Sequence, residues 1–210
     1  AGTFLRGLCH VGLENFEAGR AGDKASYGLA HKLAELELEM GRLKTGTTPR
    51  LDTRTIDWAS LEEQPGDNPP RRFSFYHEPP MLEQVSCAIT YTNERTHEII
   101  LSNTDRSPMF TGAIEGIGAR YCPSIEDKVV RFADRDRHHV FLEPETLGGD
   151  SIYCNGISTS LPPEVQDGIG RAMPGCERAE ILQYGYAVEY DMVRPHQIDA
   201  TCMVKSIPGF

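Results

Sequence analysis

The run Glu115-Gly116-Ile117-Gly118-Ala119-Arg120-Tyr121-Cys122-Pro123-Ser124-Ile125-Glu126-Asp127-Lys128 gathers a thiol, two cations and two closely spaced glycines. Gly116 and Gly118 give a backbone that can approach a ligand closely. Pro123 suits the first position of a helix, where its missing N–H would be an orphan anyway. Cys122 then falls at or beside a helix N-terminus with Arg120 two residues before it. Both the terminal partial charge and the guanidinium favour a thiolate there. The same N–H groups suit a phosphate, with Arg120 and Lys128 as charge partners. The plainer alternative is a glycine turn entering a helix beside a small buried cysteine. Spacing alone does not separate the two.

Other clusters carry weaker chemistry. Arg42, Lys44, Arg50 and Arg54 stand against the single acid Asp52 and suggest either an anion or RNA-backbone contact or a solvated charged face. Lys128, Arg131, Arg135 and Arg137 form a further basic group, diluted by Asp134 and Asp136. Tyr153-Cys154-Asn155-Gly156-Ile157-Ser158-Thr159-Ser160-Leu161-Pro162 is rich in hydroxyls and holds an Asn-Gly turn signal. It lines a polar pocket or simply joins two elements, and no G-x-S-x-G elbow accompanies it. Glu143 and Glu145 lack any context for acid/base work. The six cysteines are too scattered for a metal finger or a dense disulfide framework, so free thiols are expected. His138 and His139 are adjacent; in a strand they point to opposite faces and cannot chelate one metal. No metal site is expected.

These residues need elements to hold them. Leu29, Leu33 and Leu36 form an apolar stripe on a helix over Tyr27 to Glu37, read as core packing, with Ser26 as its N-cap. Gly41 to Pro49 reads as a strand or turn, and the prolines between Pro65 and Pro80 as an irregular excursion. Ser86 to Thr92 alternates like a strand, and Asn93 caps a helix through Asn103. A helix is expected around Pro123 to Phe132, a strand at His138 to Leu142, and an extended segment at Ser151 to Ser160. Pro163 to Met173 reads as helical and Ala179 to Tyr190 as extended. Interleaved strands and helices indicate a mixed α/β fold.

The 210 residues carry 39% hydrophobic and 25% charged side chains, the profile of a soluble globular protein. No unbroken apolar run is long enough for a membrane span. A formal charge of −10 argues against a generally basic nucleic-acid surface.

Taken in order, several stretches resemble the central part of the MnmG/GidA family, which includes a mitochondrial homologue. They are Gly2-Thr3-Phe4-Leu5, Ala18-Gly19-Arg20-Ala21-Gly22, Gly41 to Thr47, Arg106-Ser107-Pro108-Met109, Arg120 to Lys128, Phe141-Leu142-Glu143-Pro144-Glu145, Asn155 to Pro162 and Gly185 to Asp191. The resemblance implies an FAD- and NADH-dependent enzyme that modifies the wobble uridine of tRNA at C5, with methylenetetrahydrofolate as co-substrate. It also implies a partner GTPase of the MnmE family, a homodimer, no membrane association, and a bacterial cytoplasmic or mitochondrial location. The implied fold is a glutathione-reductase-like FAD/NAD-binding domain with inserted α/β segments. Residues 1–50 and 183–210 would belong to the FAD-binding domain, and residues 51–182 to an inserted, proposed NAD-binding domain.

By matched position, Ser26 would touch FAD. The proposed NAD-binding segment is Gly118-Ala119-Arg120-Tyr121-Cys122-Pro123-Ser124-Ile125-Glu126-Asp127-Lys128-Val129-Val130-Arg131-Phe132. Cys122 matches a cysteine implicated in catalysis, and Arg120 and Lys128 are retained beside it. A thiolate adding to the enone-like pyrimidine ring would activate the neighbouring carbon toward an electrophile. The sequence departs from the family pattern at Lys24-Ala25, Thr48, Tyr91, Ala119, Cys154 and Gln183-Tyr184. It holds no G-x-G-x-x-G flavin fingerprint, so this chain is expected to be a central fragment that binds FAD weakly or not at all and is inactive alone. The alternative from another class is a non-catalytic nucleotide- or RNA-binding module. A cysteine-dependent hydrolase or transferase would need a base near Cys122, and no histidine is close in sequence.

Overall fold

A computed structural model describes residues 2–72, 74–76, 82–118 and 123–210. Alternating β-branched and apolar residues build two sheets, and the mixed α/β class expected from the sequence is observed. The strands and helices, in chain order, are β1 (Leu8–Val11), β2 (Glu14–Glu17), α1 (Tyr27–Glu35), β3 (Met40–Gly46), β4 (Arg50–Asp52), β5 (Glu62–Gln64), β6 (Cys87–Tyr91) and α2 (Glu94–Leu101). They continue as β7 (Ile117–Gly118), α3 (Ile125–Arg131), β8 (His139–Pro144), β9 (Ser151–Asn155), α4 (Pro163–Ala172), β10 (Ile181–Gln183) and β11 (Ala187–Val193).

The first sheet has the order β2-β1-β11-β3-β7; only β7 joins parallel to its neighbour. The second, β10-β4-β9-β8-β6-β5, is antiparallel throughout. Strand periodicity sends Leu51, Ala88, Val140, Leu142, Ile152 and Cys154 to one face, where they form the main core with residues of α2, α3 and α4. Cross-strand pairing places Ile89, Phe141 and Asn155 in one row of the opposite face, and Tyr91 beside His139 in the next.

Local chemistry explains the helix ends. Asn93 accepts from the Thr96 amide while Thr96 returns a bond to the Asn93 amide, a capping box. α2 therefore starts where expected and ends at Leu101, two residues short of Asn103. The expected core stripe on α1 is not observed. Ala30 is its buried residue, Leu29 is 47% exposed and Leu36 36%. Periodicity reports that a helix has an apolar side, not that this chain covers it. The extended segment begun at Ser151 stops at Asn155, because Gly156 turns at φ +119°. The one expected over Ala179 to Tyr190 splits into β10 and β11 around Tyr184-Gly185-Tyr186.

The break between β10 and β11 marks where the chain passes from the second sheet to the first. Gly185 donates to Gln166 Oε1 at 2.7 Å, and Gln166 Nε2 bonds the carbonyls of Leu161 and Gly185 at 2.7 and 2.9 Å. A Cβ at Gly185 would stand 2.8 Å from the Thr47 carbonyl oxygen and 3.0 Å from that of Thr159, so the crossing needs glycine. β7 lies far from β3 in sequence and returns to the first sheet, so residues of the 51–182 segment contribute to both sheets.

Candidate functional site

Two elements flank the Arg120–Cys122 stretch: β7 before it and α3 after it. Ala119, Arg120, Tyr121 and Cys122 themselves lie outside the described residues. A Cβ at Gly116 would sit 2.8 Å from the Leu43 carbonyl oxygen, so this glycine answers the close approach of β3. At Gly118 a Cβ would meet nothing within 4 Å.

The approach to β7 is fixed by a buried carboxylate. Glu189 Oε1 accepts from the amides of Glu115 and Gly116 at 2.8 and 2.6 Å. Its Oε2 lies 2.9 Å from His10 Nε2, and both residues are buried in the first sheet. Because an ionised carboxylate only accepts, the imidazole is assigned as donor through Nε2. Sequence reasoning singled out neither residue; only the β1–β11 pairing of Leu8 with Glu189 brings His10 near it.

On the other side, α3 begins at Ile125, two residues later than expected. Ser124 is its N-cap and accepts from the Asp127 amide at 3.2 Å, so Pro123 precedes the cap instead of opening the helix. The first turn of α3 finds hydrogen-bond partners within the chain. The Ile125 amide donates to the Ser158 carbonyl at 2.8 Å, the Ser124 hydroxyl takes the Asp127 amide, and Glu126 and Asp127 put acids in the first turn. Lys128 Nζ bonds the Gly156 carbonyl at 2.9 Å.

The remaining residues of the proposed NAD-binding segment divide by direction. Ile125 and Val129 belong to the core. Glu126 is fully buried; its Oε1 accepts from the Thr159 hydroxyl at 2.8 Å and the Ser160 amide at 3.2 Å, while Oε2 has no partner. Burial pushes the Glu126 pKa up. The hydroxyl run is thus partly the mate of α3. Val130, Arg131 and Phe132 are exposed, and Arg131 lies 3.7 Å from Asp127. Pro123, Lys128 and Phe132 line a groove of about 420 Å³ whose other walls include His139, Phe141 and Asn155.

Three of the four cations of the basic cluster are paired with acids. Arg42 pairs with Asp191 at 2.9 Å, and Arg50 pairs with Glu145 at 3.1 Å while lying over the Tyr153 ring. Lys44 is buried in β3. Arg54 holds the Asp52 carboxyl down at about 2. Glu143 accepts from Asn155, so the carboxylates questioned above have partners within the fold. Among the described cysteines, Cys9, Cys87, Cys154, Cys176 and Cys202 are free. Burial pushes the Cys9 thiol up to about 11 and Cys176 to about 12, and holds Cys154 well above the ordinary thiol value, which makes these three poor nucleophiles.

Comparison with known proteins reaches the whole chain. The model of the family described as GIDA, glucose inhibited division protein A, matches residues 1–210. The chain belongs to the GidA family. A relative from Thermodesulfovibrio yellowstonii, named tRNA uridine 5-carboxymethylaminomethyl modification enzyme MnmG, is 58% identical over 99% of the chain. One of the same name from Pelobacter propionicus is 56% identical over 98%. The chain spans about a third, 33%, of the length of each. GidA of Aquifex aeolicus, in one crystal form, superposes with a TM-score of 0.91 at 48% identity, covering 99% of this chain and 36% of that one. Among the described residues no helix is long and apolar enough to cross a membrane.

Proposed function

We propose that this chain forms the nicotinamide-binding and uridine-facing part of a GidA-family enzyme that modifies the wobble uridine of tRNA at C5. The supporting observation is its 56–58% identity, along nearly all its length, to relatives named for that modification. In this reading residues 1–50 and 183–210 serve an FAD-binding domain and 51–182 the inserted domain. β7 and α3 hold the ends of the stretch that carries Arg120 and Cys122.

The Cys122 thiolate adds to C6 of the uracil ring, and the displaced electron pair makes C5 nucleophilic. C5 attacks a one-carbon electrophile derived from methylenetetrahydrofolate; loss of the C5 proton and of the C6–S bond restores the ring and the thiolate. Arg120 and Lys128 supply positive charge nearby. NADH binds along Gly118–Phe132 and serves as the reductant. For FAD, the first turn of α1 fits an anionic group. Ser26 makes no side-chain cap there, and a Cβ at Gly28 would meet nothing within 4 Å. FAD, when bound, supplies the redox chemistry. A GTPase partner of the MnmE family, a homodimer and a bacterial or mitochondrial compartment complete the assignment.

The nicotinamide segment is tested in an FAD-loaded, full-length protein carrying this sequence. Arg120→Ala is expected to raise the NADH concentration needed for half-maximal flavin reduction by about tenfold, the loss of one charge-assisted contact. An unchanged NADH dependence counts against the segment.

A further inference from the structure

The groove against α3 does not end at the segment that lines it. It shares Phe132, His138 and His139 with a hollow toward Asp134–Arg137, and Phe141 and Asn155 with another of about 380 Å³ running toward Gln64 and Cys87. These adjoining hollows form a trough along the face of β8 that carries His139, Phe141 and Glu143. Its floor is aromatic. His139 and Phe141, two apart on β8, lie with ring planes only 15° from parallel and centroids 6.2 Å apart. Tyr91 packs against the same imidazole at 4.8 Å and carries the Arg137 guanidinium over its ring at 4.3 Å. Cross-strand packing accounts for the Tyr91–His139 contact. Strand periodicity sets the His139–Phe141 spacing, and the near-parallel ring planes give one flat surface facing the groove.

Such a floor suits a flat heteroaromatic base, because every base offers a π-face. Charge decides which kind of nucleotide. The trough carries Lys128, Arg135 and Arg137 against Asp134, Asp136 and Glu143, and is formally neutral with its histidines uncharged. A strand of RNA brings one negative charge per nucleotide and needs a basic track. A dinucleotide brings two phosphates in all, within reach of one or two cations. Each of the two main hollows falls in the range of about 300–1,000 Å³ usual for small-molecule sites.

We infer that His139 and Phe141 form the stacking floor for a base of NADH, with Lys128 on the wall beside its phosphates and Asn155 at the base edge. The inference rests on the proposed nicotinamide segment, which it extends by residues of β8 and β9. Lys128 reaches the trough from α3 and is braced there by the Gly156 carbonyl.

The test is titration of a flavin-free, full-length protein carrying this sequence with NADH, followed by nicotinamide fluorescence, against Phe141→Leu and His139→Ala. Circular dichroism checks that each variant keeps its fold; His139 is exposed and its loss is tolerated by the core. A parallel arm uses a synthetic anticodon stem-loop RNA. About tenfold weaker NADH binding in both variants, with any RNA binding unchanged, is the expected result. Wild-type NADH affinity in both variants overturns the aromatic floor while leaving the Gly118–Phe132 reading in place. Absence of NADH binding by the unsubstituted chain overturns that reading and the floor together. Weakening of RNA binding alone overturns the assignment to a dinucleotide.

Discussion

His97 and His138 show how single side chains near the trough are tuned. Their rings lie 5.4 Å apart, and His138 Nε2 is buried without a partner. Burial lowers the pKa of both, with His97, Lys128 and Arg135 further opposing a charge on His138. Asp136 acts in the other direction on His97. A histidine held below its unfolded value of about 6.5 stabilises the fold fully above that pH. Stability is lost as pH falls below it, because the unfolded chain then takes up protons that the folded chain refuses. The melting temperature of wild type is therefore expected to fall between pH 7 and pH 5, and His138→Gln should flatten that fall. Identical slopes in the two proteins would show that this pair does not govern the acid limb.

Among the elements, β7 is the least self-sufficient and the most constrained. Two residues pair with β3, and the loop before them hangs on the Glu189 carboxylate. Glu189→Ala leaves two part-buried amides and a buried imidazole without their acceptor, and a loss of about 2 kcal/mol is expected. Glu189→Gln keeps an acceptor for the amides. Hydrogen exchange distinguishes the roles: protection at Glu115 and Gly116 should vanish in the alanine variant and largely survive in glutamine. Equal loss in both would assign the contribution to charge and not to the amide anchor. None of this was legible from spacing, since His10 and Glu189 are separated by nearly the whole chain. The Gly116-x-Gly118 spacing was legible as a special backbone, but its first glycine serves β3 rather than a ligand. α2 was legible to within two residues because Asn93 and Thr96 write its start locally. The apolar side of α1 was equally visible, yet Leu29 and Leu36 remain exposed among the described residues.

For the molecule as a whole, the mixed α/β class followed from interleaved local patterns, whereas the division into two sheets depends on long-range pairing. The crossings at Thr47–Pro49 and Tyr184–Tyr186 are tied together by the Thr47 amide donating to the Tyr186 carbonyl at 2.9 Å, and Gln166 is a buried polar side chain whose importance appears only once Gly185 is placed against it. The family could be read from ordered motifs along the chain, and the comparisons bear it out over residues 1–210. The described residues on either side of 119–122 belong to the first sheet, through β7, and to α3, which packs on the second. The direct measurement is made in a bacterial strain lacking its own GidA-family enzyme and supplied with a full-length gene carrying this sequence. Mass spectrometry of tRNA nucleosides should find the C5-modified wobble uridine restored by wild type and reduced at least a hundredfold by Cys122→Ser, the scale of losing a covalent nucleophile. Restoration of the modified nucleoside to wild-type levels by the serine variant would contradict the account.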